Sequence, residues 1–194
     1  MKRQKIITLL AAATITLTTV SGVAVNDGQQ VQAAAKGNKY GFIKLYTFPK
    51  SYRGTWYNTS FLSGSPITIR KTSFGASIIG NHINGYKVGK VKGTNKYPWQ
   101  MSTSWQDANS DIFNKNARIT EKTMHGSKWI VIGMVNKKAQ NFAFTVKTEV
   151  LNGKKQTVLF RANASNGLVT HQYFSSQALA QKYGQHQFKN VTYQ

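Results

Sequence analysis

The 194-residue sequence has no cysteine and only 5 Asp+Glu, against 26 Lys+Arg, for a formal net charge of +21. The missing cysteine excludes disulfides, a thiol nucleophile, thiolate-bound zinc and a lipidated N-terminal cysteine. The missing carboxylates exclude nearly as much. A calcium cage of several carboxylate oxygens has almost nothing to be built from. A hydrolase working with a carboxylate pair must draw both members from Asp107, Asp111, Glu121 and Glu149, the four beyond residue 35. His82, His125, His171 and His186 show no His-x-x-x-His spacing, so no metal site is expected and each reads as an ordinary strand or surface histidine. The nearest approach to a nucleophile elbow, Gly75 to Gly80 around Ser77, misplaces the second glycine by one position, which excludes that route to a serine hydrolase. No cofactor and no catalytic residue is expected.

What is present begins with one uncharged run. Met1-Lys2-Arg3-Gln4-Lys5 is positive, residues 6–20 are apolar apart from threonines, and small residues follow at Val31 to Ala35. That order is the pattern of a secretory signal peptide over residues 1–35, with cleavage after Ala33 or Ala35. The alternative is a retained membrane anchor; its case is the length of the run, and against it stand the Thr, Gly and Ala content and the small-residue end. Removing residues 1–35 leaves 23 basic and 4 acidic residues, and all 10 Phe, 9 Tyr and 4 Trp lie beyond them. The remainder is therefore expected to fold as one domain, over 51–194, after an N-terminal arm over 36–50 that is flexible at its Lys-Gly-Asn-Lys start.

Beyond the arm, short runs alternate apolar and polar residues between Gly and Asn, the period of half-buried strands. Strands are expected over 54–60, 67–74, 76–81, 86–92, 117–124, 129–135, 142–151, 154–162, 168–174 and 188–193. Asn84-Gly85, Asn152-Gly153 and Asn166-Gly167 each predict a tight hairpin turn, because such turns need positive backbone angles. His125-Gly126 predicts another turn. The run 129–135 is apolar on both faces, as in a strand covered on two sides or closed into a barrel. One helix is expected over 177–183, capped by Ser175-Ser176 and ended by Gly184. Residues 97–116 fit either a strand end or helical turns.

The meander opens with Arg53-Gly54-Thr55-Trp56-Tyr57, and its Gly54-x-Trp56 resembles the first-strand motif of the calycin group, the lipocalins and their bacterial relatives. With the leader and Phe48-Pro49-Lys50, the chain resembles the small secreted lipocalin-like domains of Gram-positive lactic acid bacteria. The resemblance implies a mainly β fold, an antiparallel up-and-down meander forming an eight-stranded barrel with one C-terminal helix. It also implies that Trp56 plugs the closed end and that an arginine from a late strand, here Arg161, packs over it. No Thr-Asp-Tyr motif follows in the middle of the chain.

Three functions compete. The segment 86–99 interleaves Lys87, Lys90, Lys92 and Lys96 with Tyr86, Tyr97 and Trp99, and charge beside rings suits an anionic polymer or sugar. If the segment is one strand, Lys87 faces away from Lys90 and Lys92, and a hairpin kept soluble by lysine is the plain alternative. Arg70-Lys71, Lys137-Lys138 and Lys154-Lys155 spread further charge without a run of five, which attracts polyanions but reads no nucleic-acid sequence. The first expectation is a non-enzymatic secreted protein that binds an anionic cell-wall polymer, such as teichoic acid, or an acidic polysaccharide. With no sorting motif in residues 188–194, charge is expected to hold it on the wall. The second is a carrier of a small apolar ligand inside the barrel, lined by Ile130, Ile132, Phe142, Phe144 and Val146. The third is a glycan hydrolase using Asp107 and Asp111, which on one helix would face the same way and raise one another's pKa; as turn and capping residues they would do neither.

Overall fold

Alternation is realised as one sheet in the computed structural model, which describes residues 37–59, 66–76 and 82–194. In chain order the strands are β1 (Phe42–Leu45), β2 (Gly54–Trp56), β3 (Ile67–Ile69), β4 (Ser73–Ala76), β5 (Ile83–Val88), β6 (Asn116–Met124), β7 (Ser127–Met134), β8 (Phe142–Leu151), β9 (Lys154–Asn163) and β10 (Val169–Phe174). Two short helices, α1 (Thr103–Ala108) and α2 (Ser110–Asn114), lie between β5 and β6, and α3 (Gln177–Tyr183) follows β10. The pairing path is β10-β9-β8-β7-β6-β5-β4-β3-β2, with β1 pairing separately on β5. Ala33–Gln194 form one compact unit; a second, Met1–Gln32, lies outside the described residues.

Where the turn chemistry is strict, the fold follows it. Asn152 and Gly153 take φ of 49° and 73° between the paired ends Leu151 and Lys154, and His125 and Gly126 take 48° and 69° between Met124 and Ser127. Ser176 caps α3 by accepting from the Leu179 N–H at 3.2 Å. Asn166-Gly167 sits in the longer β9–β10 loop, with only Gly167 at positive φ, 72°. The ambiguous 97–116 stretch resolves into α1 and α2 after a single 3-10 turn at Pro98–Gln100.

Several expectations fail for identifiable reasons. Asn84-Gly85 is not a turn: both residues lie within β5, and a Cβ on Gly85 would stand 2.8 Å from Ile119 Cγ1, so this glycine answers a close approach. The expected strand 67–74 is two strands, because Arg70 and Lys71 are adjacent, exposed cations that cannot share the solvent face of one strand; Arg70 N–H donates to Ser73 O at 2.7 Å to close the turn. The expected strand 86–92 ends at Val88, after which Gly93 (φ 78°) and Thr94 turn the chain. Residues 188–193 form a strap with one parallel bridge, Val169–Tyr193, instead of a strand. The expected strand 76–81 falls, beyond Ala76, outside the described residues, as does residue 60 of 54–60. Residues 37–50 are not a loose arm: they carry β1, whose Phe42 ring stacks on Tyr86 at 4.3 Å.

The sheet is not closed into a barrel. Its ends meet at one bridge, where Tyr57 and Phe174 exchange N–H···O bonds of 2.8 Å each. Nor is the order purely up-and-down, since β5 and β6 run parallel and the long 89–115 connection returns the chain to the same end. Two apolar faces explain the openness. One face buries Trp56, Ile130, Ile132, Phe144, Leu159 and Tyr173 together with Phe48. The other buries Trp129, Val131, Phe160 and Phe174 under α3 and Phe188 of the strap. Each such side chain contributes about 1.5–3 kcal/mol on burial, so β7 to β10 need a layer on each side. The run 129–135 is thus the strand covered on two sides.

Candidate functional site

Lys87 lies on β5, beside Glu121 of β6, and is the one lysine of the expected group that is neutralised inside the protein. Its Nζ stands 3.5 Å from Glu121 Oε1 and 4.9 Å from the centre of the Tyr46 ring. The Tyr46 hydroxyl donates to the same carboxylate oxygen at 2.9 Å. That hydroxyl first, and Lys87 after it, hold the Glu121 carboxyl below the usual carboxylate range, while burial and then Glu121 push the Tyr46 phenol well above its ordinary value.

Lys90, Lys92 and Lys96 lie on the turn after β5, and none has a side-chain hydrogen bond or ion pair to a described residue. The turn is pinned through its backbone, with Gly37 N–H donating to Lys90 O at 2.8 Å and Lys92 N–H to Asn38 O at 3.0 Å. The Asn38 side chain in turn accepts from the Tyr40 and Phe42 N–H groups at 2.8 and 3.1 Å. These bonds bring exposed Lys39 to the same corner. Sequence reasoning missed Lys39 because it is far from the turn in the chain; only the pairing of β1 on β5 joins them.

Tyr97 and Trp99 stack at 4.6 Å with their planes 7° apart, and the Arg118 guanidinium lies 4.4 Å from the Trp99 ring centre. Trp99 is therefore half-buried structure and not an open platform. Arg118 is only 8% exposed and has no carboxylate partner among the described residues. One of its terminal nitrogens donates to the carbonyls of Lys137, Lys138 and Ala139 at 3.1, 2.8 and 3.3 Å, and burial lowers its pKa. The guanidinium thus draws the exposed Lys137-Lys138 turn to Trp99. The result is a basic corner, Lys39, Lys90, Lys92 and Lys96 beside Tyr97, with Lys137 and Lys138 reached through Trp99 and Arg118.

The residues of the Gly-x-Trp motif have separate physical tasks. Gly54 takes φ 143°, where a side chain is strained, and Trp56 is 4% exposed with its indole N–H donating to Tyr52 O at 2.8 Å. Arg161, expected over Trp56, lies instead over the Phe142 ring, 4.6 Å from its centre. Phe142 and Phe144, expected to line a ligand cavity, meet edge-on at 5.2 Å, and Phe142 meets Phe74 at 6.4 Å. With Val146, Ile130 and Ile132 they pack into the core of the inner face.

Asp107 and Asp111 are exposed and belong to different helices, since the chain breaks at Asn109 (φ −115°, ψ 12°), so their four-residue spacing does not align them on one helix face. No group of three or more His, Asp or Glu side chains able to hold a metal is found among the described residues. His171 and His186, unrelated in the sequence, line one cleft. No helix among the described residues is long and apolar enough to cross a membrane. No protein-family model, curated protein or solved structure matches this chain.

Proposed function

We propose that this chain is a secreted, non-enzymatic protein that associates through its basic corner with an anionic cell-wall polymer, a teichoic acid or an acidic polysaccharide. One observation carries the reading: among the described residues a single ion pair, Lys87–Glu121, is present in a chain of 26 Lys+Arg and 5 Asp+Glu. Cations without internal partners direct their field outward and raise the local concentration of a polyanion. Lys39, Lys90, Lys92 and Lys96 are the binding residues, with Tyr97 beside them; Lys87 contributes less because Glu121 offsets it. The secretory leader over 1–35 and the relation to lipocalin-like domains belong to the same proposal. The buried Trp56 and the Tyr57–Phe174 bridge between the sheet's ends support that relation.

The test is retention on host cell walls across a salt series. Release is expected as NaCl rises, and retention unchanged at about 1 M, where the Debye length is about 3 Å, overturns the reading. Replacing Lys39, Lys90, Lys92 and Lys96 with Gln should flatten the slope of log affinity against log salt by about 3, scaling from about 0.7 per phosphate contact on a single-stranded polyanion.

A further inference from the structure

One cleft departs from the charge pattern of the molecule. It lies between the segment after β2, strand β10 and the chain that runs from the end of α3 to Tyr193 of the strap, has a volume of about 230 Å³, and is lined by no Asp, Glu, Lys or Arg. In a chain with 26 Lys+Arg, such a surface presents only amides, hydroxyls and imidazoles.

The walls are fixed. Gln172, 5% exposed, donates from Nε2 to the carbonyls of Tyr183, Gly184 and His186 at 3.1, 2.9 and 2.7 Å, and its Oε1 accepts from the Tyr193 hydroxyl at 2.7 Å. Its backbone carbonyl accepts from Asn58 Nδ2 at 2.8 Å. Gly184 sits where a Cβ would be 2.5 Å from Thr59 Oγ1, so the end of α3 approaches the segment after β2 as closely as any residue allows. A site held this way binds without first ordering its loops.

The groups left over suit one chemistry. His171 places Nδ1 3.0 Å from Thr170 Oγ1, while its Nε2 has no partner among the described residues. Burial, and after it Arg161, hold this imidazole below its ordinary pKa, so it is neutral near pH 7; because the Thr170 hydroxyl donates to Arg161 O at 3.2 Å, Nδ1 donates to Thr170 and Nε2 offers an acceptor. His186 packs its ring edge-on to Phe188 at 4.7 Å, and its ring nitrogens likewise have no described partner. Arg161, opposite His171 on β9, does not line the cleft, so an anion would find no cation among its walls and a cation no carboxylate. An apolar ligand would strip water from the amides without replacing their hydrogen bonds. A sugar ring fits, because each hydroxyl both donates and accepts. The volume lies below the ~300–1,000 Å³ of sites for drug-sized ligands, which limits the occupant to about one ring.

We infer that this cleft is a binding site for a single neutral pyranose unit, with His171, His186 and Thr170 as contacting residues on a frame set by Gln172. It is built from different elements than the basic corner and does not depend on it. The experiment titrates the full chain with glucose, galactose and N-acetylglucosamine, following amide and histidine ring signals by NMR. Saturable shifts are expected at His171, His186 and their neighbours for at least one sugar, unchanged up to about 1 M NaCl. Removal of one hydrogen-bonding side chain, in His171→Ala and separately in the exposed His186→Ala, should weaken binding roughly tenfold while leaving the remaining amide spectrum in place. The inference is overturned if none of the sugars shifts these signals, if binding disappears in salt, or if it survives both substitutions unchanged. Salt-sensitive wall retention without sugar binding would remove this inference alone and leave the proposed function standing.

Discussion

Gly85 offers the sharpest check on the sheet register. As a turn residue it would be needed for its backbone freedom; within β5 it is needed because a Cβ would stand 2.8 Å from Ile119 Cγ1 and 3.3 Å from Cδ1. Gly85→Ala should therefore overpack the core, at a cost of about 1–3 kcal/mol. Reduced freedom of the unfolded chain returns about 0.4–1 kcal/mol, leaving a net loss of at most about 2.6 kcal/mol. Ile119→Ala alone should lose about 2–5 kcal/mol, since Ile119 is fully buried. In that background both clashing carbons are gone, and the added methyl fills part of the cavity. Gly85→Ala should then stabilise, by about 0.8 kcal/mol for the buried carbon in addition to the chain-entropy gain. The assay is a double-mutant cycle by urea unfolding at unchanged m-value, followed by tryptophan fluorescence. Additive effects, or a loss of the same size in both backgrounds, would refute the placement of Gly85 against Ile119.

Gly153→Ala places a side chain at φ 73° in the β8–β9 turn and should cost about 1–2 kcal/mol, read as a fall in the urea midpoint. At Arg118 the order of variants is the test. Arg118→Met should stay within about 1 kcal/mol of wild type, because it removes a buried charge and the carbonyls it releases belong to exposed residues that water can reach. Arg118→Lys, which keeps the charge without the guanidinium's contact with the Trp99 ring, should lose about 1–3 kcal/mol; a more stable Lys than Met variant contradicts the role given to Arg118. The phenols of Tyr46, Tyr52, Tyr173 and Tyr193 are all pushed above their ordinary value, chiefly by burial. Their contribution is fully present below the unfolded pKa of about 10 and is lost as pH rises toward the folded values. Stability should thus fall above about pH 10 in step with phenolate absorbance, less steeply in Tyr46→Phe; a flat profile would contradict the burial of these hydroxyls.

How far the sequence reached can be argued from particular residues. Strict turns were legible: Asn152-Gly153 and His125-Gly126 carry the positive angles that a two-residue hairpin needs, and the strands around them follow. So were the extents of β8 and β9, the two-faced run in β7 and the cap of α3, since each depends on neighbours within a few residues. Asn84-Gly85 shows the limit, because the same dipeptide serves a turn when φ is positive and a close crossing when a large side chain lies opposite. Nothing nearby in the chain names Ile119.

The candidate site divides in the same way. The scarcity of carboxylates, and hence a surface of unpaired lysines, is a property of composition that no fold alters. Which lysines act together is decided by pairing: β1 on β5 adds Lys39, while the β5–β6 register gives Lys87 to Glu121. Trp99 lost its expected exposure because Arg118, distant in sequence, needs a ring and three carbonyls once it is buried. The uncharged cleft was invisible for the same reason, as its residues come from the segment after β2, from β10 and from the chain after α3. Local angles and periodicity are fixed by short-range sterics, which a sequence displays directly. Contacts between distant segments depend on loop closure and on which apolar faces must be covered, and those are settled only when the chain packs.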